Sequence, residues 1–296
     1  MKDLKQILAV GSIAYDSLDT PKGNRERILG GSCTYFSVAA SHYAKTSIIG
    51  VVGKDFDNKS WSLFKEYNIN TECVEIADGP TFSWGGKYNS DYSQRDTLFT
   101  NLGVFEHFKP KINISLKNPI LYLGNIQPSL QLDVIKKVKN PAIIAADSMN
   151  LWIDLFPKQV WELISKVNIF MLNDEEARQL TGETNLEKIS EKFLSLGPKI
   201  VIVKMGGKGS LLAFKDKKHY VSVVPNTEVY DPTGAGDSFA GGVIGYIAKY
   251  GLDNPVEAVV HGSAVASYTV SGFGLEQLLK LNQKELNHRI NQVSFR

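Results

Sequence analysis

The chain has 296 residues, 43% of them hydrophobic, enough for one large core, and carries 33 basic against 31 acidic side chains with no basic run. That balance argues against nucleic acid or an anionic membrane as partner. No apolar stretch approaches the about 18 residues of a membrane span, MKDLKQILAVGS is too weakly apolar for a signal peptide, and Cys33 and Cys73 form no disulfide framework or metal spacing, so the chain reads as soluble and cytoplasmic.

In chain order, apolar runs alternate with helical patterns: ILAVG (7–11), SIIGVVG (47–53), ILYLG (120–124), AIIAAD (142–147), NIFML (168–172) and IVIVKMG (200–206). Uninterrupted runs of this kind suit strands buried on both faces, and YFSVAASHYA, SWSLFKEYN, QLDVIKKVK, KQVWELISK and EEARQLTG between them read as helices. The alternation predicts an α/β sandwich around a mostly parallel sheet in a single domain, 1–296. Two segments break the rhythm, about 12–30 and 81–106, which are polar, turn-rich and interleaved with aromatics. They are expected to project as short strands and to cover a ligand beyond the carboxyl ends of the main strands, as a lid.

Candidate site residues follow the same order. Asp16, after the first strand, is placed to accept hydrogen bonds from vicinal hydroxyls of a sugar, or is a solvated loop acid. Gly30 and Gly31 open GGSCTYF, either as a hinge and close approach for a substrate hydroxyl or as a plain strand-to-helix turn, with Ser32 and Tyr35 just behind. On the projecting segment, Phe82, Trp84, Tyr88 and Tyr92 are suited to stack a nucleobase or a sugar face, while Lys87 and Arg95 suit a phosphate. Asn125 joins the substrate candidates after the third apolar run.

NDEE (Asn173 to Glu176) reads as a capping box and equally as oxygens that orient water around Mg2+. KMGGKGS (Lys204 to Ser210) is first a hairpin turn, and it lacks the Walker A spacing; Lys204, Gly206 and Gly209 are also placed to line nucleotide phosphates. DPTGAGDSF puts Gly234 and Gly236 at the start of a small-residue helix, where unpartnered backbone NH groups hold an anion. Asp237 in that first turn serves a phosphate poorly as a ligand and better as a base taking a proton from an attacking hydroxyl; the plain alternative is an acid complementing the helix dipole. His261 lies on a later small-residue helix, as a packed core histidine or as a ring beside adenine.

The ordered set Asp16, paired glycines, VGKD, NDEE, KMGGKG and GAGD resembles the ribokinase-like, or PfkB, carbohydrate and nucleoside kinases over nearly the whole chain. The resemblance implies a ribokinase-like three-layer fold with a β lid, and an ATP- and Mg2+-dependent kinase acting on a primary hydroxyl of a sugar or nucleoside. It implies Asp237 as general base, an anion hole from the NH groups of Gly234, Ala235 and Gly236, and Asn173 with Glu176 at Mg2+. It also implies Lys204, Gly206, Gly209 and His261 at the nucleotide, and Asp231 with Thr233 at a monovalent cation such as K+. Tyr35 departs from the asparagine found there in members that bind ribose or adenosine, so the substrate is not copied from them. The intact acid and glycines weigh against a silent ligand-binding protein of the same fold, and GSIAYD after the first strand, with no G-x-G-x-x-G, weighs against a dinucleotide oxidoreductase. The aromatics of 81–106 motivate one further expectation, a homodimer through the lid.

Overall fold

The computed structural model describes residues 5–92 and 94–296; residue 93, inside the segment expected to project, lies outside them. The chain opens with β1 (Ile7–Val10), a hairpin of β2 (Ala14–Thr20) and β3 (Gly23–Gly30), and α1 (Ser32–Ser41). Next come β4 (Thr46–Gly53), α2 (Asn58–Glu66), β5 (Asn70–Ala77), β6 (Ser83–Tyr88) and β7 (Arg95–Asn101). The middle holds β8 (Ile120–Leu123), α3 (Pro128–Lys137), β9 (Ile143–Ala146), α4 (Asn150–Leu155), α5 (Pro157–Ile164), β10 (Ile169–Asn173), α6 (Asp174–Thr181) and α7 (Leu186–Leu196). The last third is β11 (Ile200–Lys204), β12 (Ser210–Phe214), β13 (Lys217–Val221), α8 (Ala235–Tyr250), α9 (Pro255–Val270) and α10 (Gln283–Ile290).

Nine strands form one sheet in the order β13-β12-β11-β10-β9-β8-β1-β4-β5. All neighbours from β11 to β5 pair in parallel; β12 runs against β11 and β13 against β12. Strand alternation sends successive side chains to opposite faces, so each apolar run feeds two cores. Ile7, Ile120, Tyr122, Ile169 and Ile200 pack with α1, α8 and α9, whereas Leu8, Leu121, Leu123, Phe170 and Val201 pack with the side chains of α5 and α7. This is the expected three-layer arrangement, and each predicted apolar run contains one of its parallel strands.

A second sheet, β3-β2-β6-β7, is built from the two segments that broke the rhythm. Its aromatics are less exposed than the sequence suggested. Tyr88 is buried, Phe82, Trp84 and Tyr92 are half-buried, and the prominent apolar exposure is instead Leu98 and Phe99 on the edge strand β7, followed by Leu102. The rings turn inward because they find partners: Arg95 sits 4.9 Å over Trp84, Phe82 stacks on Phe105, and Tyr88 leans on Tyr92.

Candidate active site

The carboxyl ends of β1, β8, β9, β10 and β11 converge where the N-terminus of α8 meets the sheet, the usual ligand-binding edge of an open α/β sheet. Gly234 is the residue before α8 and adopts a left-handed conformation, φ 74°, with no side chain capping the helix. A Cβ there would stand 2.3 Å from the Tyr35 ring, so glycine is required both by the turn and by the aromatic packed on it. Within the anticipated anion hole, the NH of Ala235 donates to Pro232 O at 3.2 Å, while Gly236 lies inside the uncapped first turn. That first turn is where a helix presents free NH groups to an anion.

Asp237 follows in the same turn. Burial, then the charge of Asp147, pushes its carboxyl up to about 7, with Lys204 pulling the other way. Glu176 is in the same condition: burial raises it to about 7, with Lys204 lowering and Asp147 raising it. Its backbone position is fixed by the capping box, Asn173 Oδ1 accepting from Glu176 N and Glu176 Oε2 from Asn173 N, each at 2.8 Å. The capping-box reading of NDEE is therefore realised, and the Glu176 carboxylate also takes a backbone hydrogen bond from Asn150.

Lys204 ends β11, and its Nζ lies 2.5 Å from Asp147 Oδ2 and 3.3 Å from where a Cβ on Gly236 would stand. Burial alone would lower its ammonium; Asp147, Glu176 and Asp237 more than offset this and hold it up. Asp147 was given no role from the sequence, although an acid directly after the run AIIAA marks a strand's carboxyl end. KMGGKGS makes the anticipated hairpin, Lys204 opposite Ser210, with Met205 N donating to Gly209 O at 2.8 Å. Among the described residues no three acidic, histidine or cysteine side chains are placed to grip a metal together. Asn173 and Glu176 bring two oxygen side chains to the end of β10, and Mg2+, which keeps most of its water, needs few protein donors.

Asp237 also lies within electrostatic reach of Asp16, the first of the acceptor candidates. Asp16, on β2 of the second sheet, is almost fully buried rather than solvated, and a Cβ on Gly30 would overlap its Oδ2 at 2.0 Å. Burial, then Asp231, raises Asp16 to about 7, while Arg95 lowers it. Gly31, with φ 91°, turns the chain into α1, where Ser32 N donates to Ser12 Oγ at 3.0 Å and Ser12 N to Ser32 Oγ at 3.1 Å. Ser32 thus secures the β1 loop to α1. Tyr35 is 1% exposed and its hydroxyl has no hydrogen-bond partner; burial, then Asp16 and Asp231, holds the phenol well above its ordinary value.

Asn125 accepts from Trp152 Nε1 at 2.8 Å and faces Met149 Sδ at 2.9 Å. The carboxylate of Asp231, fully buried, accepts from Thr233 N at 2.9 Å and Gly274 N at 3.0 Å. Thr233 Oγ1 in turn meets Tyr88 OH at 2.8 Å, and Tyr92 OH donates to Tyr230 O, so two lid tyrosines clasp the loop before α8.

The structure does not bring His261 to this group. Its Nδ1 is 2.9 Å from Tyr43 OH and its ring packs on Tyr43, beyond the end of α1, and on Tyr246, nine residues along α8 from Asp237. Burial first, then Lys249, lowers it to about 4, as befits a neutral packed histidine.

The profile of the pfkB family carbohydrate kinase matches residues 5–280, and the chain belongs to that family. It is 25% identical over 261 residues to the cytidine kinase of Thermococcus kodakarensis, covering 86% of this chain and 91% of that one. It is 23% identical over 305 residues to the nucleoside kinase of Methanocaldococcus jannaschii, covering 97% and 99%. The crystal structure of the latter superposes with a TM-score of 0.80 at 20% identity, over 97% and 98% of the two chains. A ribokinase II candidate from E. coli, solved with ATP and Mg2+, superposes at 0.79 with 19% identity, over 97% and 99%. The chain is accordingly a phosphotransferase with an alcohol group as acceptor.

Proposed function

We propose that this pfkB-family kinase transfers the γ-phosphate of ATP, with Mg2+, to a primary hydroxyl of a sugar or nucleoside. The observation that carries the reading is Asp237, a half-buried acid in the uncapped first turn of α8, within electrostatic reach of both the Lys204 ammonium and Asp16. The acceptor oxygen forms a bond to the γ-phosphorus as the bond to the β,γ-bridging oxygen breaks and ADP departs; the acceptor's proton passes to Asp237. The helix N-terminus and Lys204 face the transferring phosphoryl and stabilise its charge, while Gly206 and Gly209 line the remainder of the nucleotide. Magnesium, held through water by Asn173 and Glu176, supplies further neutralisation of phosphate oxygens.

Asp16, with Gly30 and Gly31 beside it, binds acceptor hydroxyls, and Trp84, Arg95, Asn125 and Tyr35 complete the pocket. The names of the cytidine and nucleoside kinases, which align over most of the chain, put nucleosides first among acceptors. Asp231 and Thr233 shape the loop proposed to hold K+, and the edge strand β7 is proposed to pair two copies through the lid sheet. The test is ADP release with ATP and Mg2+ against a pool of nucleosides and a pool of sugars and sugar phosphates. Turnover with one pool establishes the activity and halves the substrate question; ligand binding without turnover in both supports a silent binding protein instead. A monomer by light scattering at micromolar concentration removes the dimer.

A further inference from the structure

Lys204 faces three buried or half-buried carboxylates, Asp147, Glu176 and Asp237, yet the ion pair it makes is with Asp147, at 2.5 Å. The alternatives matter chemically. A lysine paired to Asp237 would occupy the lone pairs that must take the acceptor's proton; one paired to Glu176 would compete with the backbone donors that hold that carboxylate.

Asp147 is built to win this competition. Its backbone NH donates to Leu123 O at 3.0 Å, its carbonyl accepts from Gln131 Nε2 at 2.9 Å, and its Oδ1 accepts from Ser148 N at 2.9 Å. Oδ2 is thereby aimed at Lys204, and the pair is shielded from water, with side-chain exposures of 17% for the lysine and 5% for the aspartate. The ammonium that results rests against Gly236, at the mouth of the anion-binding turn.

We propose that Asp147 is a positioning residue for phosphoryl transfer: it tethers the Lys204 ammonium beside the N-terminus of α8, where it meets the transferring phosphate, and keeps it off the carboxylate of Asp237. The inference rests on the kinase reading above. A buried charge left without its partner seeks another, so removing the Asp147 charge redirects Lys204 rather than merely weakening the fold.

The test compares Asp147→Asn, Lys204→Met and the double variant. Turnover uses ATP, Mg2+ and the acceptor found in the two pools; ADP binding is measured by calorimetry without acceptor, and the Asp147→Asn protein is crystallised without ligand. The expected result is a kcat loss of about 10²-fold for Asp147→Asn with the acceptor KM nearly unchanged, the scale of removing one oriented charge stabiliser. Its crystal structure should show Lys204 Nζ within hydrogen-bond reach of Asp237 or Glu176. Lys204→Met added to Asp147→Asn should raise kcat relative to Asp147→Asn, because the base is released, and Lys204→Met alone should lower kcat with ADP binding nearly unchanged.

An Asp147→Asn protein with wild-type kcat, or with Lys204 unmoved, overturns the inference while leaving the kinase reading intact. A wild-type protein silent with both pools removes that reading and the inference with it. Should Asp147→Asn fail to fold, Lys204→Met decides: an unchanged kcat overturns the proposal.

Discussion

The two halves of the candidate site are finished to different degrees. On the phosphate side the charged groups have partners: Lys204 is paired with Asp147, and Asn173 and Glu176 satisfy each other's backbone through the capping box. On the acceptor side, Tyr35 carries a buried hydroxyl with no partner and Asp16 is a buried acid held up to about 7. Charged side chains fixed by one another preorganise that half for one task, the transfer of a phosphoryl group, although the hydroxyls of Ser148 and Ser210 beside it also lack partners. A half with unspent polar atoms awaits a ligand that supplies them, since an unmet buried polar group costs about 1–3 kcal/mol.

The widest predicted separation between the halves comes from the residue between them. Asp237→Asn keeps shape and helix position but removes the base, so kcat should fall on the order of 10² to 10⁴ while ADP affinity measured by calorimetry stays near wild type. An asparagine variant with near-normal turnover would sink the base assignment. The same carboxyl gives a pH signature. With Asp237 held up to about 7 in the free protein, the base is protonated at lower pH, so kcat/KM should decline as pH drops through about 7.

The acids also report on stability in the free protein. Asp16, Glu176 and Asp237 are each raised to about 7, so between their unfolded values near 4 and about 7 the folded state binds more protons than the unfolded state. Their stabilising contribution is fully present below the unfolded values and is lost as pH rises through about 7. Denaturation midpoints of the ligand-free protein should therefore be higher at pH 6 than at pH 8. A midpoint that climbs steadily with pH over that range would show that these acids are ionised at no cost.

The halves also differed in how far they were legible in the sequence. Gly234, Gly236, Asp237 and the NDEE cap are local: a glycine turn running into a helix, or a cap three residues long, is written in consecutive positions, and the apolar runs gave the parallel strands that carry them. The Asp147–Lys204 pair joins residues 57 apart, on strands separated in the sheet by β10, and only the sheet order makes them neighbours. His261 is packed in the core, as one of its two readings had it. Its small-residue helix was plain, but which way the ring turns was decided by Tyr43 and Tyr246, which no local pattern names. The lid aromatics were likewise visible as residues and misjudged in exposure, because Arg95 and Phe105 of the same segment, together with Thr233 from far along the chain, cover them.

Tyr35→Phe sharpens the contrast by removing a single oxygen. If the hydroxyl is unspent in the free protein, its loss should leave the melting temperature unchanged or raise it, because no hydrogen bond is broken and a desolvation cost is relieved. If the acceptor supplies the missing partner, the same variant should lose about tenfold in kcat/KM for the acceptor, with ADP binding unaffected. A lowered melting temperature would show that the hydroxyl is already engaged, and the asymmetry between the halves would disappear.

The smallest effect belongs to the clasp that joins the lid to the phosphate side. Tyr88 OH and Thr233 Oγ1 are 2.8 Å apart, and Thr233 is two residues from Asp231 and four from Asp237, so the lid strand β6 is tied directly to the turn that begins α8. Tyr88→Phe should cost about 1 kcal/mol at most, the net worth of one such bond, leaving the fold intact. Because the bond crosses between the sheets, the loss should register in the lid: amide exchange along β6 and β7 should quicken, while β10 and β11 remain protected. Uniform quickening in all four strands would mean that the two sheets open as one unit, and that the acceptor and phosphate halves are not separable in stability.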